Sequence, residues 1–522
     1  MKKIYLIISL FWFAGCSSFL EEYSQDKAYI QSYEDLDEIL LGNAYFERYA
    51  RYGWESSGSS GDQYYAWVHF SGDELQQVVI DDGGAPAGPA WAGFGYYTWQ
   101  YWVDRDPDGN TSWDEYSDFQ KLYSYINACN MILGEVEAFE NSGDKTVEQN
   151  INRIKGECHF LRGSYYFLLA NFYGKPYETS TAATDPAVPL KLSNYIEDGI
   201  FQRNSVAEIY AQVEKDLLEA ERLLKDVPKK SLYRADVHAA RLMLSRMYLY
   251  MCNYEKAMEY ASLVTTDGPA LANLNGFTGT QFLTPDLPEL IFSTGAMAFT
   301  GNIAVDNVYI VMVQGNDFQV SEELYEAYDP QHSHDLRLQY YIVYKDGFYC
   351  YKKLTDDYLG TPDLSDVFLL RTSEAYLNLA EAAACIGDEA SARTALKALR
   401  EKRIDAAYYN PSELDALNGE DLVKFIREER RRELCLEGHR WFDLRRYRVA
   451  EQYPEDITLV HTFVNKVLNE VTWQYETVYS RRYTLTSDDP AWVLPIPREE
   501  VDKNTGMINN PRNERIFENI NE

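Results

Sequence analysis

Apolar side chains recur at helical spacing in the middle of the chain. Residues 239–251 and 254–264 form two amphipathic segments separated by a short polar turn. On the helical period their apolar faces are Ala240, Leu244, Met247, Tyr248 and Met251, then Tyr254, Ala257, Met258, Ala261 and Val264. Alanines on such faces let two helices approach closely, so the pattern predicts a helix pair of the tetratricopeptide kind.

A second copy of this design lies near residue 380. Its two faces are Ala375, Leu379, Ala382 and Ile386, then Ala392, Ala395, Leu396 and Leu399, with a turn at Gly387 and Asp388. Further helices are predicted over 32–49, 113–139, 148–173 and 205–224. We therefore expect a mostly α fold with about four tetratricopeptide-like helix pairs.

Long stretches without a helical period separate these helices, at about 50–111, 175–204, 267–320 and 449–522. Loops of this length inside a compact fold usually carry function. Since none of them is a low-complexity linker, residues 16–522 are expected to form one domain. Its N-terminal part, about 20–265, and its C-terminal part, about 320–522, should pack into one unit.

Residues 427–447 hold the densest group of charges in the chain. Glu429 and Arg432 have the spacing of an ion pair on one helix face, and Gly438 can take the left-handed conformation that ends a helix. Such a segment fits either an active site or a charged helix pair that holds two layers together. We favour the structural role.

The N-terminus predicts export and lipidation. Lys2 and Lys3 precede a short apolar run over 4–13, and small residues then lead to Cys16. This is typical of a signal peptide over 1–15, and the end of the run is similar to the lipobox of bacterial lipoproteins, in which Cys16 is acylated. No other stretch approaches eighteen apolar residues, so we expect attachment through lipid rather than a membrane-spanning helix.

The formal net charge is −33, and aromatic residues make up 15% of the chain. A field of this sign repels nucleic acid and anionic headgroups and favours neutral or cationic ligands. No serine-hydrolase, zinc-protease or phosphate-loop motif is present, and the adjacent carboxylates are poorly spaced for a glycosidase. The sequence therefore predicts a binding protein rather than an enzyme.

Several segments, found in order along the chain, resemble the SusD/RagB family of outer-membrane nutrient-uptake lipoproteins of Bacteroidetes. They are the opening helix at 32–41, the helices around Leu122–Asn130 and Glu157–Pro176, the charged segment 427–447, and the tail Trp492–Pro497 with Asn509–Pro511. The resemblance implies a cell-surface protein, lipid-anchored in the outer membrane, that captures oligosaccharides. It also implies a SusC-like TonB-dependent transporter as the partner that receives them.

Residues 91–102 form the candidate ligand site, because flat rings stack on sugar faces and glycines let them reach a surface. Family members place a glycan site in this loop region. The predicted glycan-binding residues are Trp67, Asp73, Trp91, Tyr97, Trp99, Tyr101 and Trp102. The alternative is that the rings cover the helical core. If they bind ligand, replacing Trp91 or Trp99 by alanine should weaken binding and leave melting nearly unchanged.

An acidic loop follows these rings and matches the spacing of a calcium-binding loop. The candidate ligands are Asp104, Asp106, Asp108, Asn110 and Glu115, and Gly109 permits the turn. The alternative is a capping box, Ser112 with Glu115, that opens the next helix. No cofactor is required on this interpretation, and calcium is the one metal that the spacing suggests.

We therefore expect a glycan-binding lipoprotein that delivers oligosaccharides to a transporter. Two other functions remain open from the residues alone. A helical-repeat scaffold would bind peptides or proteins through helix grooves, and a glycoside hydrolase would need two carboxylates across one cleft.

Overall fold

The computed structural model describes residues 30–46, 65, 67–79, 89–111, 117–140, 143–195, 197, 199–295, 305–306, 311–312, 318–354, 364–365 and 367–520. The helices are α1 Tyr33–Ile39, α2 Trp67–Ser71, α3 Pro89–Tyr97, α4 Ser117–Glu135, α5 Lys145–Tyr173, α6 Val206–Leu224, α7 Val237–Tyr250, α8 Tyr254–Asp267, α9 Glu322–Glu326, α10 Arg337–Tyr340, α11 Thr372–Cys385, α12 Glu389–Arg400, α13 Gly419–Glu433, α14 Arg440–Arg448 and α15 Arg498–Lys503. A π-helical turn, Leu40–Ala44, extends α1, and 3-10 turns lie at Val136–Phe139, Pro411–Ala416 and Pro490–Trp492.

The strands are short apart from two near the C-terminus. They are β1 Leu75–Gln77, β2 Leu290–Ser293, β3 Val305–Asp306, β4 Val311–Met312, β5 Phe318–Val320, β6 Ile342–Lys345, β7 Phe348–Tyr351, β8 Leu369–Arg371, β9 Leu459–Asn469, β10 Gln474–Leu485 and β11 Phe517–Asn519. They pair as β1–β5, β2–β8, β4–β3–β7–β6 and β11–β10–β9, and all neighbours are antiparallel except β3 and β7.

The predicted helix pairs are confirmed. Helices α4 and α5, α7 and α8, and α11 and α12 pack against each other as pairs. Helices α13 and α14 are joined by the ion pair of Arg430 and Asp443. Ser205 begins α6 with a capping box to Glu208, which satisfies backbone donors at the helix start. In the turn between α11 and α12, Gly387 has a φ of +84°, which a side chain would strain.

The buried side chains of helix α11 are not confined to the one face that we predicted. It packs against α8, α12 and α13 and is buried on nearly all sides, so Leu377 and Ala380 lie in the core as fully as Ala375 does. Leu379 is partly exposed, and Ile386 lies beyond the end of the helix with its side chain exposed. The periodicity identified the helix but not its central position.

We expected the region 449–522 to be irregular, and this expectation is wrong. Strands β9 and β10 form a long antiparallel hairpin within it. Leu459, His461 and Phe463 alternate toward the core with exposed neighbours. This is the period of a half-buried strand. The register shifts between Thr477 and Tyr479. That irregularity breaks the alternation and hides the second strand in the sequence.

A buried ionic network fixes the C-terminal helices, and Glu433 lies at its centre. Its carboxylate accepts hydrogen bonds from Arg337 (3.1 Å), Arg371 (2.6 Å) and Arg403 (2.8 Å). Burial alone would raise the pKa of Glu433, but the charges of Arg403 and Arg371 outweigh it and hold the pKa well below its usual range. The network is therefore charged and fully paired inside the protein.

The neighbouring charges of residues 427–447 are also structural. Arg430 pairs with Asp443 at 2.8 Å and thereby joins α13 to α14, and Arg446 binds Glu381 on α11 with both oxygens at 2.7 Å. Glu429 and Arg432 form the i,i+3 pair that their spacing predicts, at 2.8 Å. Gly438 takes the left-handed conformation with a φ of +75°, although α13 itself ends earlier at Glu433.

Replacing Glu433 by Gln tests the network. The substitution keeps the shape of the side chain but removes the negative charge that three buried guanidinium groups share, which should lower the free energy of unfolding by about 3–5 kcal/mol. Urea denaturation measures this value. Glu420→Gln is the matched control, because Glu420 forms an exposed pair with Lys424. This variant should be nearly as stable as the parent. Equal losses in the two variants would contradict the structural role of Glu433.

Candidate functional site

Residues 89–102 form a helix and a return turn instead of the open loop that we predicted. Helix α3 ends at Tyr97, and the chain folds back so closely that a Cβ on Gly95 would lie 2.3 Å from the Val103 carbonyl oxygen. Trp99 takes a positive φ of +51° in the turn. Gly95 therefore permits the close return of the backbone, which then presents residues 101 and 102 outward.

Three of the predicted sugar-binding rings, Trp67, Tyr97 and Trp99, lie in the core. Trp99 is buried, its Nε1–H donates to the Ser71 carbonyl at 3.0 Å, and its ring stacks on His461 at 4.3 Å. Tyr97 stacks on the other side of that imidazole at 4.2 Å, and Trp67 stacks on Tyr96 at 5.6 Å. These rings present no open face to a ligand, so their contacts are those of packing residues.

Among the rings of this segment that the structure describes, Tyr101 and Trp102 are exposed, and we call this pair the aromatic platform. Their exposed fractions are 41% and 42%, and the rings meet edge to face with centroids 4.6 Å apart. The guanidinium of Arg498 lies over the Trp102 ring at 4.3 Å and pairs with Asp104 at 2.8 Å. The platform thus combines flat apolar area with polar groups at its edge, the combination that sugar recognition uses.

Arginines of the C-terminal tail bind the backbone that precedes the aromatic platform. Arg512 Nε donates to the Gln100 carbonyl at 2.6 Å, and Arg515 donates to the Trp99 carbonyl at 3.1 and 3.2 Å while pairing with Asp489. These contacts join residues about four hundred positions apart in the sequence. The periodicity of the sequence does not predict these contacts, because it reports only on residues that are close along the chain. The support reduces the ordering that binding would require.

Asp73, predicted to bind sugar hydroxyls, is occupied by arginines. Arg440 donates to both of its oxygens at 2.8 and 2.7 Å, and Arg431 approaches at 3.0 Å. Burial would raise the pKa of Asp73, but these two positive charges outweigh it and lower the pKa. Its carboxylate therefore joins α2 and β1 to the charged segment 427–447.

The acidic loop uses its own oxygens within the protein. Asp104 is buried against Arg498, and Asp106 Oδ1 accepts the backbone N–H groups of Asp108 (2.9 Å) and Asn110 (2.8 Å). Glu115 lies outside the described residues. Among the residues that the structure describes, no group of three or more His, Cys, Asp or Glu side chains is arranged to hold a metal ion. Calcium binding by this loop therefore stays a prediction.

Two further predicted residues fall where side chains are not described. Trp91 belongs to α3, but its side chain is not among those that the structure describes, and Cys16 lies outside the described residues. The six cysteines after Cys16 are free thiols, and all are buried except the partly exposed Cys252. Within the described ranges, no helix is long and apolar enough to cross a membrane.

Family models match the chain over two adjoining ranges. The model described as SusD family matches residues 246–512, and the model described as starch-binding associating with outer membrane matches residues 91–249. The second range includes α3 from residue 91 onward and the aromatic platform. Among curated proteins, nothing matches this chain.

Solved structures share the fold over nearly the whole chain. A protein from Bacteroides vulgatus is 24% identical with a TM-score of 0.68, and the match covers 92% of this chain and 99% of that one. A SusD superfamily protein from Bacteroides thetaiotaomicron is 21% identical with a TM-score of 0.64, covering 92% and 100%. A laminarin-binding SusD-like protein is 17% identical with a TM-score of 0.56, covering 92% and 98%. At these identities the likeness shows the fold.

Two tryptophans that lie three positions apart should respond differently to replacement by alanine. Trp99→Ala removes a buried indole and its hydrogen bond, so we expect the free energy of unfolding to fall by about 3–5 kcal/mol. Trp102→Ala removes an exposed ring and should cost about 0.5–1 kcal/mol. Urea denaturation followed by circular dichroism measures both. The earlier expectation that Trp99→Ala leaves melting unchanged does not fit the burial of its ring, and equal costs in the two variants would contradict the structure.

Glu74, beside Asp73, should make stability depend on pH. Burial raises its pKa from the ordinary value of 4.5 to about 7, while its Oε1 accepts the Leu436 N–H at 2.9 Å. The unfolded carboxyl ionises near 4.5, so the folded state loses stability as pH rises from there to about 7, by about 3 kcal/mol in total.

Glu74→Gln keeps an acceptor for Leu436 without a titrating charge. We expect the variant to melt at a higher temperature than the parent at pH 8 and at nearly the same temperature at pH 5. Differential scanning calorimetry across this range measures the difference. A gap that stays constant with pH would show that Glu74 is not protonated in the folded protein.

Proposed function

The chain belongs to the SusD family, and from that premise we propose that it is a cell-surface glycan-binding lipoprotein. It captures oligosaccharides on the aromatic platform of Tyr101 and Trp102 and passes them to a SusC-like TonB-dependent transporter in the outer membrane. The observation that carries this proposal is the pair of exposed rings of Tyr101 and Trp102. They contact each other edge to face, and the other rings that the structure describes in this segment are buried.

The chemistry of the platform favours an uncharged sugar. Trp102 and Tyr101 supply flat apolar area for the C–H faces of a sugar ring, and the tyrosine hydroxyl adds a polar tip. Arg498 is already paired with Asp104, so its charge is balanced within the protein. The net charge of −33 further disfavours sulfated and uronic glycans. A glycan binder of the same fold, described as laminarin-binding, supports this ligand class.

The cell-surface location combines the N-terminus with the family match. Acylation of Cys16 after removal of residues 1–15 supplies the membrane attachment, and the family model that matches residues 91–249 is described by association with the outer membrane. We propose that this lipid attachment keeps the aromatic platform close to the transporter, which raises the local concentration of captured sugar. Trp91 stays a further candidate for ligand contact.

We propose capture without cleavage. Near the platform Asp104 is buried and paired with Arg498, and Asp73 is held by Arg440 and Arg431. A glycosidase needs one carboxylic acid and one carboxylate free to act on opposite sides of the scissile bond. Asp73, which was predicted to contact sugar, and Asp104, which was predicted as a calcium ligand, are instead paired with arginines.

Isothermal titration of the full-length protein with neutral oligosaccharides tests the platform. An array that includes starch and laminarin fragments, with a peptide pool alongside, selects the ligand. We expect Trp102→Ala and Tyr101→Ala each to weaken binding about tenfold, equivalent to about 1.4 kcal/mol. Trp473→Ala is the matched control, because Trp473 is 76% exposed at the tip of the β9–β10 hairpin.

The outcomes separate the alternatives. Unchanged affinity in both platform variants would remove Tyr101 and Trp102 from the site. Release of new reducing ends during the titration would indicate a hydrolase, and binding of peptides without any glycan would indicate a scaffold. Equal weakening by Trp473→Ala would show that the loss is not specific to the platform.

A further inference from the structure

A second group of aromatic side chains lies at the surface, on elements that share no residue with the platform. The rings of Tyr325, Tyr344 and Tyr349 lie together with centroids 4.9 to 6.3 Å apart, and we call them the tyrosine cluster. Tyr344 is 56% exposed, and the other two are partly exposed. Nothing among the sequence motifs pointed to this group, because its members come from a helix and a hairpin.

The hairpin of β6 and β7 extends the cluster outward from the core. Tyr344 and Tyr349 are paired directly across the two strands, on the same face as the buried pair Ile342 and Tyr351. The turn has positive φ values at Asp346 (+53°) and Gly347 (+90°), which is the geometry that a two-residue hairpin favours. On this face of the hairpin, Ile342 and Tyr351 therefore lie in the core, and the next pair, Tyr344 and Tyr349, lies at the surface.

Neighbouring elements hold the cluster in place. Tyr325 belongs to α9, which Ser321 caps by accepting the Leu324 N–H at 3.2 Å while donating to the Asp73 carbonyl at 2.7 Å. The Tyr349 N–H donates to Gln319 Oε1 on β5 at 2.9 Å. A fixed ring surface loses little conformational freedom when a ligand binds.

Exposed carboxylates border the rings. Burial, and a hydrogen bond from its hydroxyl to the Glu322 carboxylate, raise the pKa of Tyr349 to about 12. Burial and the neighbouring charge of Glu326 raise the pKa of Tyr325. Carboxylates accept strong hydrogen bonds from hydroxyl groups, and their charge opposes anionic ligands.

We propose that the tyrosine cluster is a second binding surface for neutral glycan, on which a sugar ring stacks on Tyr344 while Glu322 and Glu326 accept its hydroxyl hydrogens. The rings contact each other and leave no space between them, so they form a stacking surface and not a cage for a cation. This inference rests on the proposed function of glycan capture. It adds that one polysaccharide chain is held at two points.

Two-point attachment has a measurable consequence. A ligand long enough to reach both surfaces gains avidity, because the second contact forms within the complex that the first has made. A short fragment gains none. The two surfaces should therefore differ in how much they contribute to polysaccharide and to oligosaccharide binding.

The experiment uses the full-length protein, Tyr344→Ala, Trp102→Ala and the double variant. The probes are laminarin, starch and the neutral glycan that binds the parent most tightly on the array, each as polymer and as a short fragment. Affinity electrophoresis measures polymer binding, and calorimetry measures fragment binding. We expect Tyr344→Ala to weaken polymer binding about fivefold or more. We also expect Trp102→Ala to retain weak binding, which the double variant loses.

Matched variants separate binding from folding. Tyr195→Ala removes a tyrosine that is 63% exposed elsewhere and should leave binding unchanged. Tyr344→Phe keeps the ring and should bind polymer nearly as the parent does, and melting temperatures check that each variant is folded. If Tyr344→Ala binds polymer as the parent does, or loses only the contact with a transporter protein, the tyrosine cluster is not a glycan surface. If the parent binds no glycan, both proposals fail together.

Discussion

The buried carboxylate of Glu433 is the constraint on which the rest of the structure depends. Taking an ionised carboxylate out of water costs several kcal/mol, and only complete pairing offsets that cost. Arg337, Arg371 and Arg403 supply the pairing from elements far apart in the chain, and Arg371 and Arg403 also bind Glu289 ahead of β2. The carboxylate therefore stays paired only while these elements keep their relative positions. Both of its oxygens are paired with arginines, so this carboxylate has a structural role.

The same use of arginine connects this frame to the surface. Arg440 and Arg431 hold Asp73, and Arg512 and Arg515 bind backbone carbonyls beneath the aromatic platform. The guanidinium group suits this role because its fork of donors can satisfy several acceptors at once. On the proposed function, sugar binding requires few residues, namely the exposed rings of Tyr101 and Trp102 on a base that keeps its position.

The helices followed from the sequence because their apolar spacing and caps are local properties. The charged segment 427–447 was correctly predicted as structural for the same reason, since Glu429 and Arg432 lie within one turn. Burial was harder to predict. Trp99 and Trp102 lie in the same aromatic stretch of sequence, yet Trp99 packs on His461 and Trp102 faces solvent. Contacts with residues near 461 and 515, which are distant in the sequence, decide which of the two rings is buried. The β9–β10 hairpin and the tyrosine cluster escaped prediction because a bulge interrupts the first and distant elements assemble the second.

The central claim is that a rigid, arginine-supported pair of rings binds neutral sugar while the ionic network beneath only holds the fold. A crystal structure of the protein with a bound oligosaccharide tests it most directly. The account predicts a sugar ring stacked on Trp102 or Tyr101, with the side chains of Glu433 and its arginines unchanged. A sugar bound away from both rings, or one that displaces an arginine from Asp73 or Glu433, would contradict it.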